Sequence, residues 1–170
     1  MRLGGNRTAA MLVCASAACT AAAVAPGGAN AQPLQCVSNS GQQSTVIVDR
    51  SACGSEADAT GQAAAFAFDG VGYAKGEFGA HALGIGGDGG VGASQGRGGF
   101  PAALGIGKGS VAIASVENGA LSLALAFGPS QSLVANADQG VICQGPAAFA
   151  WNSLAGLACL STAIGVWQLH

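Results

Sequence analysis

Charged side chains are scarce in this chain of 170 residues. Lys, Arg, Asp and Glu together make up 8% of the sequence, against about 25% in ordinary globular domains. The six Lys and Arg residues are scattered, so they form no basic patch that would neutralise several phosphates, and we expect no nucleic-acid partner. The same scarcity argues against a polybasic site for an anionic membrane surface.

Groups that carry catalysis are equally few. The chain has two histidines, His81 and His170, and no serine stands in a GxSxG motif. The acidic residues fall mostly in turn-like segments, so no nucleophile, base and orienting partner share a recognisable arrangement. We therefore expect no enzyme, no catalytic residue, no cofactor and no metal site. An active site would have to be sought at His81, the internal imidazole, with Glu77 or Asp88.

The first 31 residues, by contrast, carry a clear pattern. Arg2 and Arg7 precede an uncharged, alanine-rich run over residues 9–25, and Ala29 and Ala31 place small residues where a signal peptidase reads. This order is typical of a secretory signal peptide. We expect residues 1–31 to be removed, leaving residues 32–170 as one secreted domain. That domain has four cationic and eight acidic side chains, a net charge of −4. The alternative is a retained membrane anchor.

Four cysteines remain in this mature domain, one pair near each end. Pairing within each cluster closes loops of similar size, each stabilising by about 3 kcal/mol in the chain-entropy model. We predict the disulfides Cys36–Cys53 and Cys143–Cys159, although four cysteines allow three pairings. A zinc site is the alternative, but the chain has no CxxC motif. The β-branched run 44–48 predicts one strand of a small hairpin between the first pair.

Residues 65–140 contain a repeat in which small and large residues alternate. Residues 82–86 (ALGIG), 103–107 (ALGIG) and 124–128 (ALAFG) recur at intervals of 21, after a looser copy at 65–69. Each copy is followed by a polar turn and a second strand-like motif, so the region predicts four units of two strands. In a strand the bulky side chains share one face. We expect that face to be buried and the bare Gly/Ala face to approach another sheet or another chain.

Two architectures fit this mainly β chain. Short turns and the Asn118-Gly119 pair, a strong hairpin signal, favour a short-stranded antiparallel sandwich or barrel. In the other, a β-solenoid (β-roll), each unit is one coil and Leu83, Leu104 and Leu125 stack on one another. The pattern alone does not separate them, and we prefer the antiparallel arrangement slightly.

The C-terminal segment 143–170 is uncharged, and its apolar residues recur at a helix-like spacing between Phe149 and Leu160. We predict a short helix there, held to the domain by the disulfide at Cys159. A membrane span of about 20 residues is the alternative. Polar and glycine residues within the segment, and the absence of a following Lys or Arg, argue against it.

The rhythm of segments 82–86 and 103–107 resembles the head repeats of trimeric autotransporter adhesins, which are β-rolls. The whole chain, with its Ala/Gly bias and its cysteine pairs at both ends, is similar to small exported proteins of unknown function from high-GC actinobacteria such as mycobacteria. This similarity implies a secreted or cell-envelope location and supplies no activity.

Two functions follow as hypotheses. The first is a secreted, non-enzymatic protein of the cell envelope or surface, which binds an envelope protein or copies of itself. The second is a membrane-associated, β-barrel-like oligomer of the outer envelope, because residues 121–127 alternate large apolar with small side chains, as lipid-facing strands do.

Overall fold

The computed structural model describes residues 33–136 and 140–169, and in these residues the chain is an all-β solenoid of about four turns. The predicted signal peptide of residues 1–31 and His170 lie outside the described residues. The strands are β1 (Leu34–Asn39), β2 (Gln43–Val48), β3 (Ser51–Ala57), β4 (Gln62–Phe68), β5 (Val71–Glu77), β6 (His81–Gly87), β7 (Val91–Arg97), β8 (Phe100–Ile106), β9 (Val111–Glu117), β10 (Leu121–Phe127), β11 (Gln131–Val134), β12 (Val141–Gln144), β13 (Ala147–Asn152), β14 (Leu157–Thr162) and β15 (Gly165–Leu169).

The strands form two facing sheets. Sheet A has eight strands in the order β1-β4-β6-β8-β10-β13-β14-β15, and sheet B has seven in the order β12-β11-β9-β7-β5-β3-β2. From β3 to β11 the chain alternates between the sheets, and neighbours within each sheet are parallel. Antiparallel strands close both ends of the solenoid.

The preferred antiparallel arrangement is therefore wrong for the centre of the molecule, where the solenoid alternative is confirmed. The turn at Asn118 and Gly119 does not close a hairpin. It joins β9 of sheet B to β10 of sheet A, so the strand after the turn lies across the core rather than beside its predecessor. The hairpin predicted around residues 44–48 is confirmed, because β2 pairs with β3 in antiparallel fashion.

The register of the coils is regular from β5 to β11 in sheet B and shifts once in sheet A. Val71, Val91 and Val111 pair in one row, so successive coils of sheet B are 20 residues apart. In sheet A, Leu104 pairs with Leu125, as the predicted stack requires, but its other neighbour is Ile85. Leu83 itself pairs with Ala102, so the predicted 21-residue repeat holds for the second step of the stack and not for the first.

The core between the sheets is built from small side chains. Its buried members are mostly alanine, glycine, serine and cysteine, and Val116 and Val134 are the largest fully buried aliphatic side chains. No leucine, isoleucine or phenylalanine of the described residues is buried. The expectation that the bulky face is buried is therefore wrong, whereas the expected close approach of the Gly/Ala face to another sheet is confirmed.

Glycine explains this arrangement. A Cβ atom added at Gly84 would lie 1.9 Å from the carbonyl oxygen of Tyr73 in the facing sheet, and one added at Gly86 would lie 1.9 Å from that of Val71. Real Cβ atoms essentially never come within 3.0 Å of another heavy atom. The backbones of the two sheets thus approach too closely for any bulky residue between them, and the large apolar side chains have to point outward.

The C-terminal segment forms strands, and the predicted helix is wrong. Strands β13, β14 and β15 continue sheet A as an antiparallel meander. In β13 the side chains of Ala148, Ala150 and Asn152 are buried, whereas those of Phe149 and Trp151 lie on the outer side. Buried and outward side chains therefore alternate with the period of two that is typical of a strand. No helix of the described residues is long and apolar enough to cross a membrane.

Both predicted disulfides are confirmed, and each connects the two sheets. Cys36 of β1 in sheet A pairs with Cys53 of β3 in sheet B, with Cα atoms 5.8 Å apart. Cys143 of β12 in sheet B pairs with Cys159 of β14 in sheet A, with Cα atoms 5.9 Å apart. One covalent cross-link therefore holds the sheets together near each end of the solenoid. Such intramolecular disulfides are typical of proteins that fold in an oxidising environment.

Candidate functional site

The outer surface of sheet A is the candidate site, and we call it the apolar face. Strand pairing aligns its outward side chains in rows that cross the sheet. The central row begins at Gln35 of β1 and continues with the large side chains of Phe66, Ile85, Leu104, Leu125, Phe149, Leu160 and Trp167. On one side lies a row of Val37, Ala64, Leu83, Ala102, Leu123, Trp151, Ala158 and Leu169. On the other side lie Phe68, Gly87, Ile106 and Phe127.

Charge is segregated between the two sheets. None of the eight strands of sheet A contains Asp, Glu, Lys or Arg. All charged residues within strands belong to sheet B, and they are Glu56, Lys75, Glu77, Arg97 and Glu117. The two sheets therefore differ in charge, because the strands of sheet A are uncharged and those of sheet B are not.

The apolar face is large for a surface open to water. Eight strands at a spacing of about 4.8 Å, each about 20 Å long, give it an area of roughly 750 Å². The largest apolar patch on a typical monomer covers about 300–600 Å². Phe127 is 43% exposed, Leu160 44% and Trp167 47%. Both tryptophans of the chain, Trp151 and Trp167, lie on this face. These features are typical of a surface that another apolar surface covers.

Several ion pairs lie on the outer surface of sheet B. The Nζ atom of Lys75 lies 3.1 Å from Glu56 Oε1 and 3.3 Å from Glu77 Oε1, and hydrogen bonds to Glu56 and then Glu77 raise the pKa of the lysine. Burial raises the pKa of the neighbouring Tyr73, and the charge of Glu56 raises it further. The guanidinium of Arg97 lies 4.6 Å from the ring centre of Phe78. Pairing of this kind keeps the part of sheet B around Lys75 hydrated, although sheet B also exposes Ile47, Val71 and Ile113.

One margin of the apolar face is polar, and it contains His81. The His81 ring stacks on Phe100 with ring centres 6.5 Å apart, beside a shallow, open depression of about 230 Å³. The structure does not bring His81, Glu77 and Asp88 together. Glu77 is paired on sheet B, and Asp88 follows the opposite end of β6. Within residues 33–136 and 140–169, no group of three or more His, Cys, Asp or Glu side chains is placed to hold a metal ion.

Asp58 forms a cap that the sequence did not predict. Its carboxylate accepts hydrogen bonds from the backbone N–H groups of Thr60 at 2.8 Å, Gly61 at 2.6 Å and Phe78 at 2.7 Å. These bonds, that of Phe78 foremost, lower its pKa from 3.8 to about 2. Because Phe78 belongs to the next coil, this side chain connects two successive coils of the solenoid.

The residues of the apolar face were predicted to be interior, although the sequence carries a signal for the opposite. In β5, Lys75 and Glu77 alternate in phase with Val71 and Tyr73, while Gly72, Ala74 and Gly76 occupy the other phase. Charged side chains have to face water, so the small residues of this strand have to face inward. The same orientation then applies to every coil.

Comparison with known protein families gives a match over most of the chain. Residues 3–162 match a family of unknown function, DUF6764. No curated protein and no solved structure matches the chain. The matched range contains all strands of the solenoid from β1 to β14, and with them the two disulfides and most of the apolar face. The chain belongs to DUF6764, a family of unknown function.

Proposed function

We propose that this protein is a secreted, non-enzymatic component of the cell envelope or cell surface, and that it acts by binding through the apolar face. One observation carries the proposal. Bulky apolar side chains cover the outer surface of sheet A, which has no charged strand residue, while all charged strand residues lie on sheet B. An apolar surface of this size is costly to leave in water and is typical of an interaction site.

Two further features support the location. The arrangement of residues 1–31 is that of a secretory signal peptide. The pairing of all four cysteines of the mature domain in two disulfides fits a protein that matures outside the cytoplasm.

The form of the surface supports binding rather than catalysis. Enzymes work in concave sites where a few polar groups converge, whereas the apolar face is an extended sheet surface with a shallow depression at its margin. The histidine at that depression contacts an aromatic ring, and the nearest acidic residues in sequence lie elsewhere in the fold.

The second candidate is a membrane-associated oligomer of the envelope. It is favoured by β10, in which Leu121, Leu123, Leu125 and Phe127 all lie on the outer side and alternate with small inward side chains. The exposed tryptophans add to this, since tryptophan is enriched where proteins meet the lipid–water interface.

Fractionation of cells that produce a tagged form of the protein tests the location and separates the two candidates. We expect the protein outside the cytoplasm, in the envelope fraction or on the surface. A protein that stays in the cytoplasm would contradict the proposal. Extraction with and without detergent then decides between the candidates, because recovery in the aqueous culture filtrate would exclude the membrane-associated oligomer.

The non-enzymatic role is tested with the purified mature domain and its His81→Ala variant against a panel of hydrolase and transferase substrates. We expect no turnover by either protein. Turnover by the wild type that is abolished in the variant would show that the depression beside His81 is an active site.

A further inference from the structure

We propose that the partner of the apolar face is a second copy of this chain, and that two copies stack sheet A against sheet A about a two-fold axis. This inference rests on the proposed binding role of the face and adds the identity of the partner. Three features of the face support it: its area, its pattern of projecting and recessed side chains, and its lack of charged residues.

The area of the face matches that of a stable protein dimer. The face covers roughly 750 Å², as estimated from the number and length of its strands. Two stacked copies would bury about twice that area, within the range of about 1,200–2,000 Å² that specific interfaces bury. Face-to-face stacking of sheets is a common packing mode, in which side chains of the two surfaces interdigitate.

The pattern of projecting and recessed side chains allows the face to pack against the same face of a second copy. Along one row, small and large side chains alternate strand by strand, as Ala64, Leu83, Ala102 and Leu123. The projecting leucines are thus two strands apart, about 10 Å, with a depression between them. The central row beside them is an unbroken ridge of large side chains from β4 to β15. A two-fold axis that runs between these two rows would place the central ridge of each copy against the alternating row of the other, where the small side chains leave depressions.

The absence of charge also favours a second copy. A two-fold contact places a surface against itself, so any charge near the axis would meet its like. Burying an unpaired charge costs several kcal/mol, and the strands of sheet A contain no charged residue. Asn39, Gln62 and His81 lie together at one margin of the face, where a polar rim of an interface is expected.

The acidic turns make a lipid bilayer a poorer partner. The described turns that lead into or out of sheet A contain Asp58, Asp69 and Asp88 against Lys108. Arg50 pairs with Asp69 at 2.7 Å, so Asp58 and Asp88 are the acidic residues of these turns without a salt bridge. A sheet lying flat on a membrane would bring these carboxylates towards the headgroups. Surfaces that lie in a membrane interface are usually rich in Lys and Arg around their apolar side, and the strands of this face contain neither.

Sedimentation equilibrium of the purified mature domain, residues 32–170, tests the proposal. We expect a dimer for the wild type. In the variant Leu104→Asp, which places a carboxylate at the centre of the apolar face, self-association should be weaker by at least about tenfold. The matched control is Ile113→Asp, on the outer side of β9 in sheet B, where the side chain is 39% exposed; this variant should remain a dimer.

Tryptophan emission provides a second measurement that needs no variant. Both tryptophans lie on the apolar face, so dilution of the wild type should shift their emission to longer wavelength as the dimer dissociates. The shift should occur over the same concentration range as the change in mass.

Three outcomes would overturn the inference: a wild type that is monomeric at every concentration, an oligomer that Ile113→Asp and Leu104→Asp weaken equally, or a monomer that floats with phosphatidylcholine vesicles. Fractionation of cells answers a separate question. A monomeric protein found in the envelope would contradict only the dimer, and a dimer retained in the cytoplasm would contradict only the proposed location.

Discussion

At the scale of single residues, glycine fills two different needs in this chain. Gly119 has a φ of +79° and no heavy atom within 4 Å of its missing Cβ, so the backbone conformation of the turn selects it. Gly86 lies in a strand without a positive φ, and the facing carbonyl of Val71 leaves no space for a Cβ. The first kind of glycine shapes the turns, and the second kind sets the distance between the sheets.

The second kind gives a sharp prediction. Gly86→Ala should destabilise the fold by about 3 kcal/mol or more, because the added methyl forces the two backbones apart and overpacking alone costs about 1–3 kcal/mol. The matched control is Gly54→Ala in β3. Its Cβ would meet side-chain atoms on the outer side, namely the ring of Tyr73 at 3.2 Å and Oγ1 of Thr45 at 3.9 Å. Denaturant unfolding measures both. Equal effects of the two variants would contradict the close approach of the sheets.

Asp58 gives a prediction for acid stability. Its pKa is about 2 in the folded chain and 3.8 ordinarily, so its carboxylate stabilises the fold fully above pH 3.8. That contribution is lost as the pH falls from 3.8 towards 2. The melting temperature of Asp58→Asn should therefore depend less on pH in this window than that of the wild type. An NMR titration that gives the Asp58 carboxyl a pKa near 4 would contradict the cap.

At the scale of elements, the sequence was sufficient for the strands of residues 65–140, the first hairpin and both disulfides. These rest on alternation, turn residues and loop length, which are local properties. The pairing partner of a strand is not local. Asn118 and Gly119 correctly indicate a chain reversal, but a turn also forms where the chain crosses to the facing sheet. The turn chemistry is similar in both cases, so it did not distinguish the solenoid from a meander.

The apolar residues of the C-terminal segment show a second limit. Between Phe149 and Leu160, large residues fit the spacing of a helix and the alternation of strands equally well. Their environment decides between the two. The uncovered edge of β10 offers backbone hydrogen bonds to β13, and the small inward residues of β13 fit the narrow space between the sheets. A pattern in one segment does not reveal the edge to which that segment is added.

The two cross-links between the sheets give a prediction at this scale. Replacing Cys36 and Cys53 by serine should lower stability by about 3 kcal/mol, the value expected for a loop of this length. Hydrogen exchange should quicken mainly in β1 and β2, whereas the central strands β7 to β10 keep their protection. The corresponding double variant of Cys143 and Cys159 serves as the control, with faster exchange at β12 and β14 instead. If hydrogen exchange quickened equally in all strands of either variant, the two ends of the solenoid would not unfold independently of the centre.

At the scale of the whole molecule, the fold places small side chains in the core and large apolar side chains on the surface, which is the reverse of most domains. Backbone hydrogen bonds join the strands within each sheet. Close contacts between small residues and two disulfides hold the two sheets together. The leucines, isoleucines and phenylalanines remain accessible on the surface. A chain of this kind is stable with a thin core and keeps its apolar area available for a contact with another molecule.

The small-residue core has a consequence for how stability varies with temperature. The heat capacity of unfolding arises mainly from apolar surface that becomes hydrated, and it amounts to about 12–15 cal/mol/K per residue in ordinary domains. In the monomer, much of the large apolar surface is already in contact with water before unfolding. Calorimetry of the Leu104→Asp variant, with its apolar face uncovered, should give a value below that range; a value at or above it would contradict the thin core. The free energy of unfolding would then change little between cold and warm conditions, so cooling would weaken this fold less than it weakens domains with a large aliphatic interior.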